Sequence, residues 1–202
     1  MKVSIKTLYD QLYKDEQEKD PETIIKLVEQ NLSLVDNTDS ENSDEFEKAN
    51  KILADCAMAL QKTGKNTESL PFLEKAINRL ENSKENSGED ITDEPLYESL
   101  IFHKGLANYS LKKYKEAKSV FNLLVKRDRS NTDYRTMHNE SVKMIFRKFE
   151  WILMALIVIS AAASIYIGRK NLYVYRISYG ILIAVIIGFY IVNFLKKRQM
   201  IK

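Results

Sequence analysis

Two apolar runs near the end of the 202-residue chain limit what it can fold into. Trp151 to Ile167, WILMALIVISAAASIYI, carries no charge in 17 residues. As a helix it spans about 25 Å. Ile177 to Leu195, ISYGILIAVIIGFYIVNFL, carries none in 19 residues and spans about 28 Å. A bilayer's hydrocarbon core is roughly 30 Å thick, so each run has the length of a membrane span. The 148 residues ahead of Phe149 are too few to cover two helices that are apolar all round. The spacing therefore predicts a pair of transmembrane helices.

The runs are separated by GRKNLYVYR, residues 168–176. Gly168 and Asn171 are turn formers, and Arg169 and Lys170 require water or head groups. Trp151, Tyr166, Tyr173, Tyr175 and Tyr179 stand where interfacial aromatics belong. The unit reads as a tight helical hairpin. Ser160, Ser164 and Gly168 recur every four residues on the first helix, and Gly180, Ala184 and Gly188 do so on the second. Small residues at that spacing permit close backbone approach in lipid. A turn near Asn171 would set Ser164 near Gly180 and Ser160 near Ala184. With a second helix starting at Leu172, Arg176 lies one turn inside. There it either snorkels to head groups or pairs with an acid on another helix.

Flanking cations set the orientation. Lys143, Arg147, Lys148, Lys196, Lys197, Arg198 and Lys202 lie on one side, against Arg169, Lys170 and Arg176 in the loop. Seven against three predicts both termini in the cytoplasm. The first twenty residues contain no apolar stretch resembling a secretory signal. The lone Cys56 suits a reducing compartment and rules out an intramolecular disulfide. A composition rich in Lys, Asn, Ile and Glu points to an AT-rich bacterial source, hence an inner membrane. From Phe149 onward the formal charge is +6, so the net +3 leaves −3 for the first 148 residues. That acidic front half argues against nucleic acid as a partner.

Ahead of the runs, periodicity is helical nearly throughout. Ile5, Leu8, Tyr9 and Leu12 repeat at three and four. Asp20, Pro21 and Glu22 form a helix start, and Ile24, Leu27, Val28, Leu32 and Val35 form one stripe. Further helices are expected over about 45–62, 68–81, 94–112 and 114–127. Residues 37–44 and 82–92 are expected as polar loops, and Pro71 is tolerable only in a first turn. A last helix from Thr132 runs unbroken into the first apolar run. This divides the chain into a helix pair at 1–36, repeats at 45–131, a juxtamembrane helix at 132–150, and a hairpin with basic tail at 151–202.

Short-linked helix pairs invite a search for self-similarity. Ser99 to Asn131 resembles a tetratricopeptide repeat. Gly105 falls at the small position of the first helix and Tyr114 at the aromatic opening the second, while Ala117 and Phe121 match the Ala-x-x-x-Phe pair. Lys51 to Arg79 carries the same pattern through Leu53, Ala57, Leu60, Gly64, Ser69, Leu73 and Ala76, giving repeats at about 50–83 and 98–131. The resemblance implies an all-α fold, a right-handed TPR-like superhelix followed by the transmembrane hairpin. It also implies a concave groove lined by the first helix of each repeat, which accepts an extended peptide or a partner helix. Lys51, Met58, Gln61, Lys62, Phe102, Leu106 and Tyr109 would face that groove, with Ala54 among them. Relatives that clamp a C-terminal carboxylate use Lys, Asn and Arg in the groove. Ala54, Met58, Phe102 and Leu106 stand at most of those places here, so that clamp is not expected.

No reactive constellation accompanies these helices. The two histidines, His103 and His138, form no H-x-x-x-H, and C-x-x-C, G-x-S-x-G and Gly-rich phosphate loops are missing from the sequence. No catalytic residue, metal site or cofactor is expected. The reading is a non-enzymatic membrane-anchored adaptor or scaffold, with a protein and membrane lipid as partners. The alternative is a structural subunit of an integral membrane complex recognised through its hairpin. A tail-anchored receptor is disfavoured by the second span.

Overall fold

The computed structural model describes residues 4–13, 19–38, 43–87, 91, 94–166 and 172–201. Every extended element among the described residues is an α-helix, and no strand occurs among them. The helices are α1 (Ile5–Tyr13), α2 (Pro21–Gln30), α3 (Leu32–Asp36), α4 (Ser43–Lys62), α5 (Asn66–Ser87), α6 (Pro95–Ser110), α7 (Tyr114–Arg127), α8 (Thr132–Tyr166) and α9 (Leu172–Gln199). They fall into two compact units, Met1–Arg127 and Asp128–Lys202.

In the first unit α4 is the hub. Helices α1, α2 and α3 pack on it, α5 returns along it, α6 follows α5, and α7 returns along α6. Leu8, Val28, Val35, Ile52, Leu53, Leu60 and Leu73 are fully buried in one continuous core. Each such side chain is worth about 1.5–3 kcal/mol of transfer free energy. Asp20 takes the position before α2 and Pro21 is its first residue. The Asp20 side chain makes no cap hydrogen bond there, and its carbonyl accepts from Thr23 N at 3.0 Å instead.

Three local expectations change. The stripe Ile24–Val35 is not one helix but α2 and α3, broken at Asn31 (φ −118°, ψ 17°). Asn31 Nδ2 donates to the Leu27 carbonyl at 2.8 Å, which its own N–H would take in a continuing helix. That N–H turns to Val28 O at 3.0 Å instead. Helix α5 continues to Ser87 through residues expected as loop. Because α5 begins at Asn66, Pro71 lies past the first turn and inside the helix. It has no N–H to offer Thr67 O, and the loss falls where both residues are exposed.

In the second unit α8 packs on α9. Their pairing is antiparallel and held at two levels. Glu150 Oε1 accepts from Lys196 Nζ. Asn139 Nδ2 donates to Ile201 O at 2.8 Å while Ile201 N donates to Asn139 Oδ1 at 2.8 Å. Helix α9 starts at Leu172, ahead of the uncharged run at Ile177, and runs to Gln199. The expected turn at Gly168 to Asn171 lies outside the described residues.

Candidate functional site

Two turns in the first unit share one backbone geometry. After α4, Gly64 has φ +80°, its N–H donates to Gln61 O at 2.9 Å, and Lys65 N–H donates to Leu60 O at 2.8 Å. After α6, Lys112 has φ +61°, its N–H donates to Tyr109 O at 3.0 Å, and Lys113 N–H donates to Asn108 O at 2.9 Å. Both are the paired bonds of a Schellman cap around a left-handed residue. Gly64 and Lys112 are 48 positions apart, and the same offset relates Ala57 to Gly105, Leu60 to Asn108, Ser69 to Ala117, Leu73 to Phe121 and Ala76 to Leu124. Every member of these five pairs is buried. The second turn uses lysine where the first uses glycine.

Within the second pair, a Cβ at Gly105 would lie 2.6 Å from Phe121 Cε1 and 2.7 Å from Cζ. The ring therefore rests directly on the α6 backbone, fully buried. Phe102 meets it edge-on at 5.8 Å between centroids.

The residues read as groove-lining meet different fates. Ala54 is fully buried. Lys51 is exposed, but its ammonium sits 4.6 Å from the Tyr13 ring and 5.8 Å from the Tyr9 ring, both on α1. Tyr13 donates to Asp55 on α4. Burial first, then that bond, holds the phenol above its ordinary pKa. The Lys51 end of the face is thus met by α1. Gln61 bridges α4 to α6: its Nε2 donates to His103 O at 2.9 Å and its Oε1 lies 2.8 Å from His103 Nδ1. Burial lowers the His103 pKa, which favours the neutral ring that donates from Nδ1. Met58, Phe102, Leu106 and Tyr109 are half-buried and Lys62 is exposed. Tyr109 stands edge-on to Tyr114 at 5.4 Å.

Among the described residues the small residues of the hairpin do not form one seam. Ser160 is buried, and Ser164 Oγ turns inward to donate to Ser160 O at 2.9 Å. A Cβ at Gly188 would meet Leu153 Cδ2 at 3.7 Å. Gly180 has nothing within 4 Å of such a Cβ, and Ala184 is exposed. Gly180 and Ala184 therefore face away from α8, which corrects the pairing expected with Ser164 and Ser160. The cause is register: the α9 face turned toward α8 carries Gly188 against Leu153. Gly168 lies outside the described residues.

The periodicity gave no sign of the Tyr13–Asp55 and Gln61–His103 contacts, which join residues 42 apart in sequence. Glu150 did carry a signal. It is the one acid after Glu140, and it abuts the start of the first apolar run as Lys196 abuts the end of the second. Among the described residues no cluster of His, Cys, Asp or Glu is arranged to hold a metal ion.

Antiparallel helix pairs joined by matching turns and stacked on one core define a helical-repeat protein. More narrowly, residues 99–131 match the tetratricopeptide repeat family, over the segment whose Gly105, Ala117 and Phe121 carry the resemblance. No curated protein and no solved structure matches the chain. The chain thus carries a tetratricopeptide repeat built from α6 and α7, and repeats of this kind serve as protein-interaction modules.

Proposed function

We propose that the chain is a non-enzymatic adaptor that holds a protein partner at a membrane surface. One observation carries the anchoring: apart from Leu123, every large hydrophobic that is exposed among the described residues lies between Phe149 and Leu195. Two helices there are long and apolar enough to cross a bilayer, and only 6% of each apolar window is buried in the structure. A core helix of a water-soluble protein would be mostly covered; these are bare, which fits lipid as their solvent.

In this reading residues 51–83 are a second, degenerate repeat related to 99–131 by the 48-residue offset. Met58, Lys62, Phe102, Leu106 and Tyr109 then offer the partner an apolar and aromatic face with a cation at its edge, and Lys51 marks the end met by α1. The cation count puts both termini on the cytoplasmic side, of a bacterial inner membrane in the simplest case. Anchoring raises the partner's effective concentration, so modest affinity suffices.

The test is crosslinking from Tyr109 and Phe102, replaced one at a time by a photoreactive residue, in native membranes. A discrete protein adduct lost in a Leu106→Glu variant supports the reading. Adducts only to lipid, or none, count against it. A second reading is a structural subunit of a membrane complex. It is favoured by Gly180 and Ala184, which present a small-residue face of α9 away from α8. Replacing 151–195 by an unrelated hairpin separates the two: an adaptor keeps its partner, and a subunit recognised through the hairpin loses it.

A further inference from the structure

The ion pair between Glu150 and Lys196 fixes which parts of α8 and α9 lie level with one another. Arg147 and Lys148 lie within one turn before Glu150, and Lys197 and Arg198 within one turn after Lys196. All four are exposed. A turn is about 5 Å long, so the four cations occupy one narrow level around the helix pair. Among the described residues no carboxylate is paired with them. Glu150 is the one acid from Ser141 onward, and it is engaged by Lys196. Glu140 is engaged by Lys143 at 2.6 Å. Arg147 donates to the Met144 sulfur at 3.6 Å. At the same level Phe149 is 55% and Trp151 68% exposed, and the bare apolar surface begins immediately beyond them.

A cationic ring bordered by two exposed aromatics and then by hydrocarbon-compatible surface matches one environment, the head-group layer of a leaflet bearing negative lipids. Resting on the membrane reading above, we infer that Arg147, Lys148, Lys197 and Arg198 form a collar that gathers anionic phospholipid around the base of the hairpin. The Glu150–Lys196 pair is the device that makes the collar possible. It removes the local carboxylate that would repel phosphate, and it sets the two basic segments side by side. Neither segment alone has four free cations; the antiparallel register supplies them.

Trp151 is the chain's single tryptophan and sits at the collar, so its fluorescence reports on the lipids there. The intact chain is reconstituted into vesicles of phosphatidylcholine and phosphatidylglycerol, with one or the other brominated high on its acyl chains. At equal mole fraction, brominated phosphatidylglycerol should quench Trp151 about two- to fivefold more effectively. The excess should disappear in the R147Q/K148Q/K197Q/R198Q variant. It should also shrink in the unaltered chain near 1 M salt, where screening acts over about 3 Å. Equal quenching by the two lipids in the unaltered chain at low salt would overturn the collar while leaving the anchor intact. No quenching by either would place Trp151 outside lipid and overturn the membrane reading itself. An excess that persists in both the variant and high salt would assign the selectivity to something other than these cations, and the inference would fall.

Discussion

Gly105 and Phe121 share space that only a glycine leaves open. The Phe121 ring carbon lies 2.6 Å from the point a Cβ on residue 105 would occupy. The ring is fully buried, so it cannot swing away, and the obstacle is no flexible tip. Gly105→Ala should therefore cost about 2–4 kcal/mol, an overpacking penalty at the upper end of the usual range. Thermal unfolding of the full chain in detergent, followed by circular dichroism, measures it. Adding Phe121→Leu should recover part of the loss in the double variant although it is itself destabilising. Strictly additive losses would mean that the two residues do not compete for space.

The turn after α6 holds Lys112 at φ +61°. A side chain in the left-handed region costs roughly 1 kcal/mol that glycine avoids, partly offset by glycine's freer unfolded chain. Lys112→Gly should leave the structure unchanged and raise stability by up to about 1 kcal/mol. Gly64→Ala, at the equivalent turn, should lower it by about 1 kcal/mol. Opposite signs at two sites 48 residues apart would be hard to explain without a shared cap.

Arg79 ties three helices together. Its Nη1 donates to Val35 O at 2.8 Å, Nη2 to Thr38 O at 3.1 Å and Nε to Asn50 Oδ1 at 3.0 Å. The guanidinium also lies 5.0 Å from the Phe46 ring centroid. It satisfies carbonyls at the end of α3 while filling the gap to α4. Arg79→Leu should cost about 2–3 kcal/mol, since buried acceptors lose their donor. Arg79→Lys should recover little, because one ammonium cannot serve three divergent acceptors. Full recovery by lysine in denaturant titrations would reduce the contribution to charge alone.

Burial pushes the Cys56 thiol up to about 12, whereas an unfolded cysteine ionises near 8.5. Between those values the unfolded chain has released a proton that the folded chain retains. Stability therefore falls as pH rises from about 8.5 toward 12, and is unaffected by this group below that window. Cys56→Ala should flatten the alkaline slope, read from melting temperature against pH. Persistence of the full slope would assign it to other groups, such as Tyr13 and Tyr97. The folded thiol should also resist maleimide until the protein unfolds.

His103 acts at the other end of the scale. Burial lowers its pKa, so on acidification the unfolded chain takes up a proton first. Stability is complete above about 6.5 and is lost as pH falls through the window below it. Protonation places a charge in the half-buried bridge to Gln61. Gln61→Leu should cost about 1–3 kcal/mol at neutral pH by leaving His103 partners unmet. If His103→Asn removes the acid-side slope while Gln61→Leu leaves it in place, the slope comes from burial and not from the bridge.

Helices were legible where one face was apolar and the ends were marked. Helix α7 begins at Tyr114 and ends at Arg127, and α8 begins at Thr132 and runs unbroken into the apolar run, as the periodicity predicts. The break at Asn31 was illegible because it depends on a side chain taking its neighbour's carbonyl, while the apolar stripe continues through it. The extension of α5 to Ser87 was hidden by a polar composition that suits an exposed helix as well as a loop. Of the candidate groove, the helices that carry it could be read from spacing. What could not be read was which residues would be taken up internally. Lys51 lies by α1 and Gln61 is bound to His103 because chain segments far apart in sequence meet there. On the hairpin, small residues at every fourth position mark a face but do not say toward what that face turns.

Helix α8 is 35 residues long, about 52 Å, against a hydrocarbon layer of roughly 30 Å. On the membrane reading proposed above, a bilayer gripping Trp151 to Tyr166 also steers the polar stretch from Thr132 to Glu150, a lever about 28 Å long. A tilt of about 10°, well inside the range spanning helices adopt, swings Thr132 sideways by about 5 Å. Changes in membrane thickness or tension would then reach Thr132 as mechanical displacement, with the Asn139–Ile201 clamp stiffening the arm.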